Sequence, residues 1–372
     1  MGKPMIAVVG GGITGAFAAY YAALLGVDVT VLQRDDPLLH ASGNNAGGLN
    51  PMHGPGIPGP LADLAMASFE LHRQAWPAAT AAGTADFAGR AVRRLELAVA
   101  ADEAGQLQDS LERYAATPGF AATWLGPDEA RTVEPGLTAD VVGGLLVEGN
   151  LRVDPANYTR AVIAAAEQAG ARFMTAAVTG VQSRDDHVTG LVTDAGVLAC
   201  DGVVLATGPW CAEPSRWLRI ALPIEPVRGE LLVAEQPDPP VSADVGWGRF
   251  GVHPRADGTL LLGGTEDSAG FDATPTAAGC AGIRAGLGRV MAGVDALRIL
   301  AHAAALRPVS ADGLPICGFA PGWGNVTLAL GGGRKGMLLA PALGHSAVDL
   351  LIHGETDLAV HGLGARRPGL MT

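Results

Sequence analysis

The chain opens on a short apolar run, Met5–Val9, followed by the glycine-rich stretch Gly10-Gly11-Gly12-Ile13-Thr14-Gly15. An alanine-rich segment comes next, then a second alternating apolar run, Asp28–Leu32. This pattern predicts strand, glycine turn, helix and parallel strand, the unit that cradles a dinucleotide. Gly10 permits the tight turn, Gly12 lets backbone approach a pyrophosphate, and Gly15 lets the helix pack close to the sheet. The helix start at Ile13-Thr14 then directs unpaired N–H groups and a partial positive charge at the phosphates. Pro4 to Val27 carries no charge, so an export signal or membrane anchor competes for the same stretch. Three consecutive glycines would break a spanning helix, and only Lys3 precedes the run. No integral membrane segment is therefore expected here.

Further along, a helix is predicted from Pro60, with Leu61, Leu64, Ser68 and Leu71 on one face, and a helical piece around Glu103–Tyr114. Asp154 caps a helix that Pro155 begins, Tyr158, Val162 and Ala165 share its face, and Gly170 ends it. Short strands follow at Ala171–Thr175, Val178–Gln182, Val188–Thr193, Val197–Cys200 and Val203–Ala206, with turns at Asp185-Asp186 and Asp194-Ala195-Gly196. Three of them form a meander beside a doubly wound sheet, which fits a flavin-type fold better than a plain dehydrogenase. Glu230–Ala234, Phe250–His253 and Thr259–Gly263 read as strands and 277–292 as a helix. The strand Val326–Leu330 runs into Gly331-Gly332-Gly333-Arg334-Lys335-Gly336 and a last helix over about 337–352. Too little chain remains for a second mononucleotide fold, yet this helix start also aims at an electron-rich group.

With 372 residues, two domains or one large one are expected; 53 glycines and 25 prolines beside 48% hydrophobic residues describe a loop-rich globular enzyme. A net charge of −12 argues against nucleic acid or an anionic membrane as partner. Cys200, Cys211, Cys280 and Cys317 form no CxxC pair and the nine histidines no ligand cluster, so no metal is expected. The cysteines read as packing in a reducing compartment, and the chain as cytoplasmic. Where the fingerprint ordinarily ends in an acidic ribose ligand, this chain has Gln33, then Arg34. Gln33 can hydrogen-bond ribose hydroxyls without charge assistance; Arg34 as a 2′-phosphate contact is the alternative.

Five stretches in order along nearly the whole chain now resemble the FAD-dependent D-amino-acid oxidase family, in its glycine oxidase and sarcosine oxidase branch. They are Gly10–Gly15; Ala41-Ser42 through Gly47-Gly48-Leu49; Val153-Asp154-Pro155; Val203–Trp210 with Pro226-Val227-Arg228-Gly229-Glu230; and Leu306-Arg307-Pro308 with Asp312–Ile316, Gly332–Gly336 and Ala340–Gly344. The resemblance implies an α/β fold: an FAD-binding Rossmann-like domain with a parallel sheet and β-meander, interleaved with an α+β substrate domain on a mixed sheet. FAD would take residues 1–81, 150–215 and 305–372, and substrate residues 82–149 and 216–304. By the same resemblance Ser42, Asn45, Ala46, Gly47, Gly48 and Leu49 line the FAD. Val178 holds adenine through its backbone, while Thr207, Gly208 and Trp210 close over the dinucleotide. Gly332, Gly333, Arg334, Lys335, Gly336 and Met337 sit at the pyrimidine end of the ring. Relatives of sarcosine oxidase attach FAD through a cysteine where this chain has Ala303-Ala304-Ala305, so non-covalent FAD is expected.

Arg307 resembles the family's carboxylate-binding arginine, whose planar fork would grip a carboxylate bidentately and fix Cα–H toward the ring. A surface or domain-bridging arginine is the other reading. Arg334 is a second candidate, against a solvent-facing helix start, and His53 a third, against a structural histidine. The tyrosine that family members place near Phe250–His253 is missing. The resemblance implies hydride transfer from Cα of glycine, a D-amino acid or an N-substituted glycine such as sarcosine to flavin N5. The resulting imine would hydrolyse to an oxo acid and ammonia or amine, and O2 would return as H2O2. Still open are a dehydrogenase of the same fold passing electrons to a quinone or carrier, a 2-hydroxy-acid substrate, and a non-catalytic flavoprotein subunit. A homo-oligomer is compatible with all of these.

Overall fold

The computed structural model describes residues 3–83 and 85–370. A six-stranded sheet forms around Met5–Val9, in the order Ile316–Phe319, Val326–Leu330, Gly202–Leu205, Met5–Val9, Asp28–Gln33 and Arg172–Thr175. All neighbours are parallel except the antiparallel edge strand Ile316–Phe319. Parallel strands covered on both faces read as continuous apolar runs, which is why these were visible in the sequence. Ile6, Val8, Val29 and Val31 face the helices Ile13–Leu24, Ala62–Ala82, Pro155–Gln168 and Gly336–His353. Ala7, Val9, Leu32, Val203 and Leu205 face the meander Val178–Arg184, His187–Thr193, Gly196–Ala199.

Glycine sets the closest approaches. A Cβ at Gly15 would overlap the Gly10 carbonyl, and one at Gly344 would stand 2.7 Å from the Ala18 nitrogen. The segment Gly333–His353 is long and apolar enough to cross a bilayer by length and composition, but Met337–Gly344 within it is buried against the helices around it.

The second sheet has nine strands. Eight run in the order Ile299–Ser310, Ile224–Glu235, Thr259–Gly263, Phe250–Pro254, Asp244–Trp247, Arg90–Ala98, Gly143–Arg152 and Gly48–Leu49; the ninth, Ala121–Leu125, pairs with Gly143–Arg152. Asp244–Trp247 runs parallel to Arg90–Ala98 and the other pairings are antiparallel. Leu95, Leu97, Leu232, Leu260 and Leu262 pack one face onto the helix Ala277–Gly288. The other face carries polar groups toward the first sheet's strand ends.

The region 82–149 holds three strands that periodicity did not resolve, and its helical piece is two short helices, Ala101–Gln108 and Leu111–Ala116. The helix expected over 277–292 stops at Gly288. Ile299–Ser310 is a twelve-residue strand although Ala303-Ala304-Ala305 has little intrinsic preference for one. Its pairing with Ile224–Glu235 along nearly its whole length decides the matter.

Candidate active site

One cavity of about 640 Å³ runs from the glycine turn at the first sheet to the polar face of the second. That volume suits a cofactor-sized ligand, roughly 300–1,000 Å³. At its first end Gly10 adopts φ +104° with a backbone neighbour, the Ala206 carbonyl, where a Cβ would stand. Ser42 Oγ accepts from the Ile13 N–H at 3.0 Å and sits 2.8 Å from where a Gly12 Cβ would be. Gly12, Ile13 and Thr14 line the cavity, while Gly15 lies behind its wall. This is a cradle that side chains would fill, and it fits a pyrophosphate approached by bare backbone.

Gln33 is placed differently from a free ribose ligand. Its Oε1 accepts from the Gly11 N–H at 2.5 Å, and its Nε2 donates to Asp35 Oδ1 at 3.1 Å, so its carboxamide braces the glycine loop. Arg34 stacks over the Trp210 ring, 4.2 Å from its centroid. Val178, Thr207, Gly208 and Trp210 line the same arm.

Asn45 folds its own loop. Its Nδ2 donates to the Ala41 carbonyl at 2.8 Å, and its Oδ1 accepts from the Gly47 N–H at 2.8 Å. Gly47 needs its φ of +68° and its bare Cα, because the Val153 carbonyl stands where a Cβ would be. Ala46, Gly47 and Gly48 line the cavity; Leu49 is fully buried in the core and does not.

The other end is built by the last strand-to-helix turn and the second sheet. Gly332, Gly333, Gly336 and Met337 line it at the start of the helix Gly336–His353. Arg307, on Ile299–Ser310, lies across Gly229 of the neighbouring strand and donates from Nη1 to the Thr265 carbonyl at 2.8 Å. Burial lowers its pKa, opposed by Glu266, reinforced by Arg334 and opposed again by Asp267. Arg334 is exposed, its Nε 3.6 Å from Glu266. Lys335 reaches back across the cavity, where Nζ donates to the Asn50 carbonyl at 2.9 Å and also to that of His53. Burial and then Arg94 push it down to about 7, against the pull of Glu96. His53 opens into the cavity with Nε2 3.9 Å from Glu96. Burial lowers its pKa, and Glu96 opposes that shift.

Four charges here were not singled out from the sequence: Glu96, Arg152 and Asp244, which are buried, and Arg94, which is partly so. Arg94 Nε pairs with Glu96, and Arg152 Nη2 donates to Asp244 Oδ2 at 2.6 Å. Burial raises Glu96, but Arg94 and His53 overcome it and hold the carboxyl at about 2. Asp244 likewise ends below its ordinary value, burial being outweighed by Arg152 and His253. The alternation Arg94-Leu95-Glu96-Leu97 was the available signal: a strand with one apolar face and one ionic face.

Comparison with known proteins agrees with this architecture. The family described as DAO, FAD dependent oxidoreductase, matches residues 5–350. A glycine oxidase of Pseudomonas putida is 38% identical over 181 residues, covering 48% of this chain and 49% of that protein. One from Pseudomonas aeruginosa is 27% identical over 360 residues, 93% of this chain and 94% of its own. The crystal structure of glycine oxidase from Geobacillus kaustophilus superposes with a TM-score of 0.88 at 25% identity, covering 98% of this chain and 99% of that one.

Proposed function

The chain belongs to the DAO family of FAD dependent oxidoreductases and is an FAD-dependent amino acid oxidoreductase; from that premise we propose that it oxidises the Cα–N bond of a small amino acid or N-substituted glycine. The observation that carries this reading is Arg307, a guanidinium laid along the cavity floor beside the helix start Gly332–Met337. Its planar fork suits a substrate carboxylate, and one hydrogen bond to Thr265 holds it in position.

When bound, FAD supplies a two-electron acceptor for the Cα hydrogen. The residues of this chain do the rest. Gly10, Gly12 and Thr14 would border the diphosphate, with Ser42, which already holds the Ile13 N–H, beside them, and Arg34 with Trp210 would border the adenosine. The helix N-terminus at Gly336 places partial positive charge at the other end, where it favours electron-rich groups. Arg307 orients the acid, and Lys335 holds the Asn50–His53 segment in place. His53, neutral near pH 7, can accept a hydrogen bond from the amine. The oxidised substrate is an imine, which water converts to an oxo acid and ammonia or amine, and dioxygen is the terminal acceptor, leaving as hydrogen peroxide.

The test is direct. Purified protein is mixed anaerobically with glycine, sarcosine and D-amino acids, and the flavin band is followed. Bleaching that air restores, with oxygen consumed, is expected. Flavin that stays oxidised across the panel sinks the reading, while bleaching by 2-hydroxy acids alone moves the substrate class.

A further inference from the structure

The floor of the cavity contains a device that carboxylate binding and electron transfer do not require. Gly263, Gly251 and Gly246 stand opposite one another across three adjacent strands, flanked by Leu231 on one side and Glu96 on the other. Polar side chains lie across this glycine row. A Cβ at Gly251 would meet His253 Nε2 at 2.6 Å, and Arg94 Nη2 and Glu96 Oε2 together fill the place of a Cβ at Gly246. Both His253 and Arg94 line the cavity.

Each has one partner and hydrogen-bonding capacity left over. Arg94 pairs with Glu96 through Nε, and among the described residues its terminal nitrogens have no protein partner. His253 has Nδ1 3.4 Å from Asp244, a carboxylate already held by Arg152. That carboxylate draws the ring proton to Nδ1, which leaves Nε2 an acceptor. A donor and an acceptor are thus presented side by side. They are set by two facing glycines whose Cβ positions would be about 5 Å apart.

We propose that this pair is a specificity subsite for a second, neutral hydrogen-bonding group on the substrate, a hydroxyl or carboxamide that accepts from Arg94 and donates to His253. The inference rests on the amino acid oxidation reading above. An alkyl group would leave both partners unpaired in a buried floor. A second carboxylate could accept from Arg94 but has no proton for His253 Nε2, and it would face Glu96 and Asp244.

The experiment compares kcat/KM for D-serine and D-asparagine with D-alanine, D-valine and D-aspartate, with glycine as reference. At least about a tenfold preference for the hydroxyl or carboxamide member over the alkyl one of similar size is expected. In His253→Leu that ratio falls about tenfold. The same fall is expected in the double variant Arg94→Met, Glu96→Gln, which leaves no carboxylate stranded. Bound FAD per chain is measured in each, so a variant that fails to fold is recognised, and the wild-type substrate ratios decide alone. Equal use of alkyl and polar members, or a preference for D-aspartate, overturns the subsite while leaving amino acid oxidation intact. No bleaching with any member overturns the underlying reading instead.

Discussion

Arg307 lies where a side chain on Gly229 would otherwise stand, so its reach into the cavity depends on that bare backbone. Arg307→Ala is expected to raise KM for the amino acid about a hundredfold, near 3 kcal/mol, with FAD content retained. Arg307→Lys restores charge without the fork and recovers part of the loss; an unchanged KM in both would remove the residue from carboxylate binding. Lys335 makes a different prediction, because burial holds it near 7 against an ordinary 10.5. Between those values the unfolded chain binds a proton that the folded chain does not, so this group's contribution to stability rises with pH across that window. The slope is at most about 1.4 kcal/mol per pH unit. Below pH 7 the group is charged in both states and adds no slope. The melting temperature of the wild type relative to Lys335→Met should therefore climb from pH 7 to 10, and parallel curves would show that the lysine is not so shifted.

At the scale of elements, three helices are tied by one neutral, fully buried histidine. His72, on Ala62–Ala82, accepts from Tyr158 Oη at 2.8 Å and donates to the Met337 and Leu338 carbonyls at 3.0 and 3.1 Å. Burial depresses its pKa to about 4, though both carbonyls favour the charged form. His72→Leu leaves those groups unpaired and should cost about 2–3 kcal/mol in urea unfolding. The glycine turn yields a sharper outcome. Gly15→Val would drive a side chain into the Gly10 carbonyl and separate the first helix from its strand. Little bound flavin is expected in that variant; full flavin content would mean that the close packing is not needed. The strand Ile299–Ser310 shows the reverse dependence, since it exists because its neighbour supplies the register and in turn positions Arg307.

For the whole molecule, the cavity lies where two sheets meet, so ligand and fold are thermodynamically linked. Protein stripped of FAD should melt at a lower temperature than holoenzyme, and returning FAD at a hundred times its Kd should restore about 2.7 kcal/mol. Equal melting of the two forms would place the cofactor outside the cooperative unit. The dinucleotide turn, the parallel sheet, the meander and the last glycine-to-helix turn were legible in the chain, because local pattern and glycine placement dictate them. Arg307 stood out only through family likeness, and Lys335 was assigned to the cofactor without any sign that its ammonium would tether Asn50 and His53. Gln33 offered a ribose ligand by position, whereas the fold spends its amide on Gly11. The ionic floor of Arg94, Glu96, Arg152 and Asp244 joins strands far apart in the chain, and its glycine row exists only through cross-strand register. Sequence by itself determined the elements whose hydrogen bonds and apolar periodicity close locally. Tertiary structure decided which buried charges meet and which polar atoms are left to face a substrate, because those depend on pairing between distant strands.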